Sequence, residues 1–191
     1  MMQLKINKAS SIYIAMALFF IIDIAWTLAP KHQDAKVEES NVTFISKAPL
    51  ETIIASSVSL NGILDTTKRE FLFRINMGSF QGFTSPLQKT HFEENYLEIA
   101  KYRYATFSGK IIEETSFSNN GDYEVRGKGI FNLHGISQEK TIKCNVNVKN
   151  GVYTVTSTFP IKLNDYKILI PHLVKQKIAE EITVTLSIKI K

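Results

Sequence analysis

Apolar and polar residues alternate with a two-residue period through most of this chain, and each such run predicts a half-buried β-strand. The clearest is residues 182–190, with Ile182, Val184, Leu186, Ile188 and Ile190 on one side and Thr183, Thr185, Ser187 and Lys189 on the other. The same alternation runs through residues 71–77, placing Phe71, Phe73, Ile75 and Met77 together on one face opposite Leu72, Arg74 and Asn76. Further strands are expected at 42–46, 52–60, 105–114, 123–133, 141–148 and 152–159. Turn signals separate them: Ala48-Pro49, Asn61-Gly62 as a hairpin turn, Asn119-Asn120-Gly121-Asp122, His134-Gly135 and Asn150-Gly151. Gly127 and Gly129 fall inside one strand, where glycine marks a bend or a close backbone approach.

The helical period enters once with a clear start. Ser85 is a good N-cap, Pro86 suits the first helical position and Gln88 completes a capping box. Phe92 and Tyr96, four apart, share a face of that helix. A second short helix is expected over residues 173–180. About eight strands joined by connections too short for parallel crossovers define an all-β, antiparallel fold, and the glycine-bearing strands favour a barrel over a sandwich. A barrel of eight strands encloses room for its own side chains or for one small ligand.

The N-terminus follows a different rule. Lys5 and Lys8 precede an apolar run from Ala9 to Ile22, which is the pattern of an export signal. Asp23 interrupts the run, which resumes as far as Ala29 before Pro30. Residues 1–29 are expected to be either a cleaved signal peptide or an N-terminal membrane anchor. They are about long enough to span a bilayer, although Asp23 would cost about 3 kcal/mol at its centre. Residues 30–41 are charged without clear periodicity and read as a linker; residues 42–191 form the barrel domain. The protein is therefore expected outside the cytoplasm, periplasmic, secreted or held to the membrane by its N-terminus.

Composition narrows the chemistry. The net charge of +5 is spread along the chain, with lysines alternating among apolar residues, so a nucleic-acid surface is not expected. Cys144 is the only cysteine, which excludes an intrachain disulfide and any multi-cysteine metal site, and its alternation with Ile142, Val146 and Val148 puts it on a buried face. No nucleophile elbow, zinc-binding HExxH or phosphate-cradling loop occurs. Adjacent carboxylates such as Glu93-Glu94 diverge and make no acid–base pair. A binding protein is expected, without catalytic residues, metal or cofactor. What the sequence supplies in excess is apolar surface: Phe107 and Phe131 face the same way as the 71–77 row.

The order of features resembles the YceI-like family. The resemblance rests on FLFRINMGSF, the helix SPLQKTHFEENYLEIAKY, ATFSGKII, GIFNLHGISQEKTI and the closing DYKILIP and VKQKIAEEITVTLSI, and it spans about residues 42–190. Many members carry a His-Ser pair in the first strand, where this chain has Phe44-Ile45-Ser46. The resemblance implies a lipocalin-like barrel that binds a polyisoprenoid lipid such as a polyprenyl chain or quinone. Phe71, Phe73, Ile75, Met77, Phe107 and Phe131 would then line the cavity. His134 either meets a ligand at the rim or, as a histidine in a tight turn more often does, bonds the turn backbone, and Tyr166 is open in the same way between corner packing and rim contact. The alternative is a barrel filled by its own side chains in a non-enzymatic envelope stress or interaction protein.

Overall fold

The computed structural model describes residues 34–191. Among them are nine strands: β1 (Asp34–Lys47), β2 (Thr52–Ser57), β3 (Asn61–Asp65), β4 (Glu70–Asn76), β5 (Tyr104–Ile111), β6 (Gly121–Leu133), β7 (Ile136–Lys149), β8 (Val152–Lys162) and β9 (Glu181–Ile190). Each pairs antiparallel with the next around the sheet, and β1 pairs with β9 to close it. β2 and β3 run along the same edge of β1 in one register, Val42 opposite Ser57 and Asp34 opposite Asp65. They are two stretches of a single long strand, so the closed wall has eight staves. Among the described residues no helix is long and apolar enough to cross a membrane.

The linker expected at 30–41 is strand from Asp34 onward. Asp34–Lys36 pair with β3, and Lys36 exchanges backbone hydrogen bonds with Lys191. A register shift between Val37 and Glu39 hides this strand from a two-residue reading. Before the shift Ala35 is buried; after it Val42 and Phe44 are, so odd positions give way to even ones.

Asn61-Gly62 is not a turn but the start of β3. A Cβ on Gly62 would lie 2.2 Å from the ring of Phe73, so the glycine makes room for that ring across the strand pair. The real hairpin turn comes at 66–69, where Asp65 Oδ1 accepts from the amides of Thr67 and Lys68 and Arg69 adopts a left-handed conformation.

The two ends of the barrel differ. At one end the connections are the 66–69 turn, the 112–120 loop and Asn150-Gly151, with β1 beginning beside them. At the other lie the longest insertions: residues 77–103 between β4 and β5, and 163–180 between β8 and β9. The first holds α1 (Pro86–Thr90), which widens into a π-helical turn over His91–Tyr96. Ser85 Oγ accepts from the Gln88 amide as the capping pattern requires, and Gln88 Oε1 accepts in return from the Thr84 amide. The expected second helix at 173–180 is instead a single 3-10 turn, His172–Val174, followed by irregular backbone.

The longest break in the wall lies between β7 and β8, which form a ladder only where Asn145–Lys149 meet Val152–Thr156. Beyond that the strands part, and side chains bridge the gap. Ser157 Oγ donates to the Lys143 carbonyl (2.5 Å), Lys140 Nζ to that of Pro160 (3.2 Å) and Gln138 Nε2 to that of Asp165 (3.2 Å). Pro160 lacks an amide hydrogen on this same edge, which makes it tolerable there.

Where β5 and β6 cross most closely, Gly109 faces Gly129 in register. A Cβ on Gly129 would stand 2.0 Å from the Ser108 carbonyl oxygen, whereas one on Gly121 would meet nothing nearer than 3.7 Å. Gly129→Ala should therefore lower unfolding free energy by about 2–3 kcal/mol, and Gly121→Ala should leave it nearly unchanged. Urea denaturation followed by fluorescence checks both.

Candidate functional site: an apolar cavity with a polar mouth

The inward side chains of the barrel do not fill it. They enclose a cavity of about 530 Å³, within the span of roughly 300–1,000 Å³ usual for small-molecule sites. All six residues expected on its wall are there: Phe71, Phe73, Ile75, Met77, Phe107 and Phe131. The strand register explains their grouping. Phe73 lies opposite Phe107 and Phe107 opposite Phe131, so three rings stand side by side across β4, β5 and β6. Phe71 rests 4.8 Å from Phe107, centroid to centroid, beside Gly127, where a Cβ would lie 3.1 Å from the Phe71 ring.

Opposite this row β1, β8 and β9 contribute Val42, Phe44, Phe159, Val184 and Leu186. The closed end is blocked by Phe117 from the 112–120 loop, set edge-on to Tyr123 and Tyr153. The lining is thus hydrocarbon and aromatic almost throughout, with no group of three or more His, Cys, Asp or Glu side chains among the described residues that could hold a metal.

Most polar lining residues collect at the other end, apart from Arg74 and Thr106 in the β4–β5 wall and the Tyr153 phenol beside Phe117. Ser46, Glu51, Thr84, Ser85, Gln88, His91 and Lys177 border the mouth. Here α1 is tied to the β1–β2 loop by Gln88 Nε2 donating to Glu51 Oε1 (2.7 Å). The 163–180 insertion is tied to the same loop, the Leu50 amide donating to the Gln176 carbonyl and the Ala179 amide to Ser46 Oγ. Under α1, Phe92 stacks on Phe44 at 5.3 Å and touches Phe80 and Phe83. The π-helical turn presents both Phe92 and Tyr96 to the cavity, with the Leu97 amide bonded back to the Phe92 carbonyl. Neither that widened turn nor the contribution of Phe80 and Phe83 is legible from strand alternation; only the shared face of Phe92 and Tyr96 pointed to them.

His134 and Tyr166, candidates for rim contacts, do not line the cavity. His134, in a left-handed conformation, sets Nδ1 3.0 Å from the Tyr166 carbonyl oxygen and Nε2 3.1 Å from Glu98 Oε2. Hydrogen bonds from Lys101 and then His134 hold the Glu98 carboxyl below its usual range. Tyr166 is fully buried with its ring edge-on to Phe131, and burial, then the Asp165 charge, push its phenol up to about 12. The pair is a structural corner that fastens the 163–180 insertion to the β6–β7 turn, behind the wall and not on it.

Comparison with known proteins gives one family. A family model for the YceI-like domain matches residues 26–190. No curated protein matches the chain. Among solved structures, a polyisoprenoid binding domain from Saccharophagus degradans implicated in plant cell wall breakdown superposes with a TM-score of 0.72 at 16% identity, covering 84% of this chain and 99% of its own. BcnA of Burkholderia cenocepacia gives 0.64 at 17%, covering 78% and 95%. A Campylobacter jejuni YceI protein gives 0.53 at 14%, covering 69% and 78%. At these identities the likeness is one of fold: a closed eight-strand barrel with one additional strand segment.

Cys144 faces this cavity, and burial raises its thiol above the ordinary value. Thiolate is the reactive form, so a raised value depletes it at neutral pH. Alkylation of Cys144 in the native protein should rise only through a more alkaline window than in the urea-unfolded chain. A mass-spectrometric rate profile from pH 7 to 10 reads the difference, and identical profiles would remove Cys144 from the interior.

Proposed function

The chain belongs to the YceI-like family, and on that premise we propose that it is an exported lipid-binding protein. It holds one isoprenoid-type lipid, a polyprenyl chain or quinone, with the tail inside the barrel and the polar end at the mouth. The observation that carries this reading is the distribution of polarity along the cavity. Aromatic and aliphatic side chains line most of the depth, while the carboxylate, amide, imidazole and ammonium groups of Glu51, Gln88, His91 and Lys177 gather at the opening. An amphipathic molecule with a long flexible tail matches that distribution, and phenylalanine and methionine adapt to such a tail without demanding one shape. The family and the polyisoprenoid binding domain among its structural neighbours support the same ligand class. A wall so poor in acid–base pairs favours carriage or storage over catalysis. Export is supported by Lys5 and Lys8 ahead of the apolar run, and retention of residues 1–29 would add a membrane anchor.

The test is recovery of the ligand. Protein purified from its own cells should release an isoprenoid-type lipid on organic extraction, seen as a matching mass increment in the native spectrum. An empty barrel that gains no melting temperature from added ubiquinone or polyprenol would overturn the reading. Phe73→Ala combined with Met77→Ala should reduce lipid retention tenfold or more while the protein stays folded. Unchanged retention with a large loss of stability would instead make those side chains internal packing.

A further inference from the structure

The cavity opens beneath an insertion that the barrel does not need for closure. Residues 163–180 leave β8 and return to β9, and within them Ile170, Val174 and Ile178 turn inward to line the mouth. Their neighbours turn outward. Leu173 is 96% exposed, more than any other large apolar residue described, and Leu169 is also exposed. Two more exposed leucines stand on the elements joined to this insertion: Leu50 at 67% on the β1–β2 loop and Leu87 at 63% on α1. The Leu50 amide is bonded to the Gln176 carbonyl, and Leu87 itself borders the cavity. Exposed leucines on three separate elements therefore gather around one opening, continuous with the apolar lining inside.

Charge on the insertion leans basic: over residues 163–180 Lys167, Lys175 and Lys177 stand against Asp165 and Glu180. Two carboxylates of the rim are paired with lysines, Glu180 with Lys175 Nζ at 2.6 Å and Glu93 with Lys89 at 3.8 Å, while Glu51 accepts from the Gln88 amide. Glu94 is exposed on the π-helical turn.

We propose that this rim is a membrane-docking surface for an anionic bilayer. Leu50, Leu87 and Leu173 enter the interfacial region, and Lys177 lies against a lipid phosphate, as in interfacial segments that combine apolar insertion with basic residues. The occupant is a bilayer and not a protein partner because the apolar residues open onto the cavity itself. A lipid tail could pass from bilayer to barrel without crossing water. This deepens the reading of the cavity as a lipid site and rests on it.

The test uses the full chain with Cys144→Ser and one new labelling site, Leu173→Cys at the mouth or Asn150→Cys at the closed end, each carrying an environment-sensitive nitrobenzoxadiazole dye. Vesicles of phosphatidylcholine with 30% phosphatidylglycerol should shift the dye at 173 to the blue and leave the dye at 150 unchanged, even where residues 1–29 hold the protein to the vesicle. Lys177→Gln should weaken the response about fivefold, the effect of removing one cation near an anionic surface. Leu50→Asp should weaken it about tenfold or more. No shift at 173, an equal shift at 150, or an equal response to pure phosphatidylcholine would each overturn the proposal. Displacement of the apolar dye 1-anilinonaphthalene-8-sulfonate from the cavity by ubiquinone is measured on the same variants. If the rim variants lose the vesicle response and keep the cavity signal, docking and binding are separate; loss of the cavity signal alone in every variant would fail the lipid-site reading and leave the vesicle result standing.

Discussion

Everything in this protein depends on the pairing of β1 with β9. Those two strands bring the start and end of the folded domain together over most of their length and turn a curled sheet into a closed wall. Without that contact the sheet would present two long unpaired edges, each a template for association with other chains. With it, every inward row of side chains faces another across an interior that has no access to water from the side along most of its perimeter. The cavity is a product of closure. Eight staves fix a diameter, and Gly62 and Gly127 leave room for the rings of Phe73 and Phe71 against the wall.

The second constraint is the segregation of the two ends. Short turns and Phe117 seal one; the two long insertions shape the other. The barrel supplies a generic apolar interior, and the insertions together with the β1–β2 corner supply the polar groups at its mouth. The corner built from His134, Glu98 and Tyr166 belongs to this arrangement. It anchors the base of the 163–180 insertion, which leaves the outer part of that insertion free to differ in character from the barrel beneath it.

Much of the wall was legible because strand alternation is a local signal. The faces of 71–77 and 182–190 could be read from residue types alone, and Phe107 and Phe131 followed by parity. The helix start at Ser85 was legible for the same reason: a cap is a contact between near neighbours. What escaped the sequence were features decided at a distance. β1 was read too short because its bulge reverses which residues point inward. Asn61-Gly62 was taken for a turn because glycine's lack of a side chain serves two purposes, and here it serves the ring of Phe73 on the next strand. For His134 and Tyr166 the residue types left a rim contact and a structural corner both open, and their partners, the Tyr166 carbonyl, Glu98 and Phe131, decide for the corner. The 173–180 segment has helical composition, yet its backbone is committed to laying Ile170, Val174 and Ile178 along the opening.

The parted edge between β7 and β8 has a consequence for how the container behaves. A continuous ladder sets the girth of a barrel rigidly, because widening it by even a fraction of an ångström strains every rung. Between 136–144 and 157–162 the rungs are replaced by three side-chain latches from Ser157, Lys140 and Gln138, each borne on rotatable bonds. Proline at position 160 removes one of the amide hydrogens that would otherwise zip this edge shut. The barrel is thus closed but not of fixed circumference. It has an expansion joint, and the joint lies toward the mouth, so the bore there can adjust to the thickness of what it holds while the sealed end stays the same size.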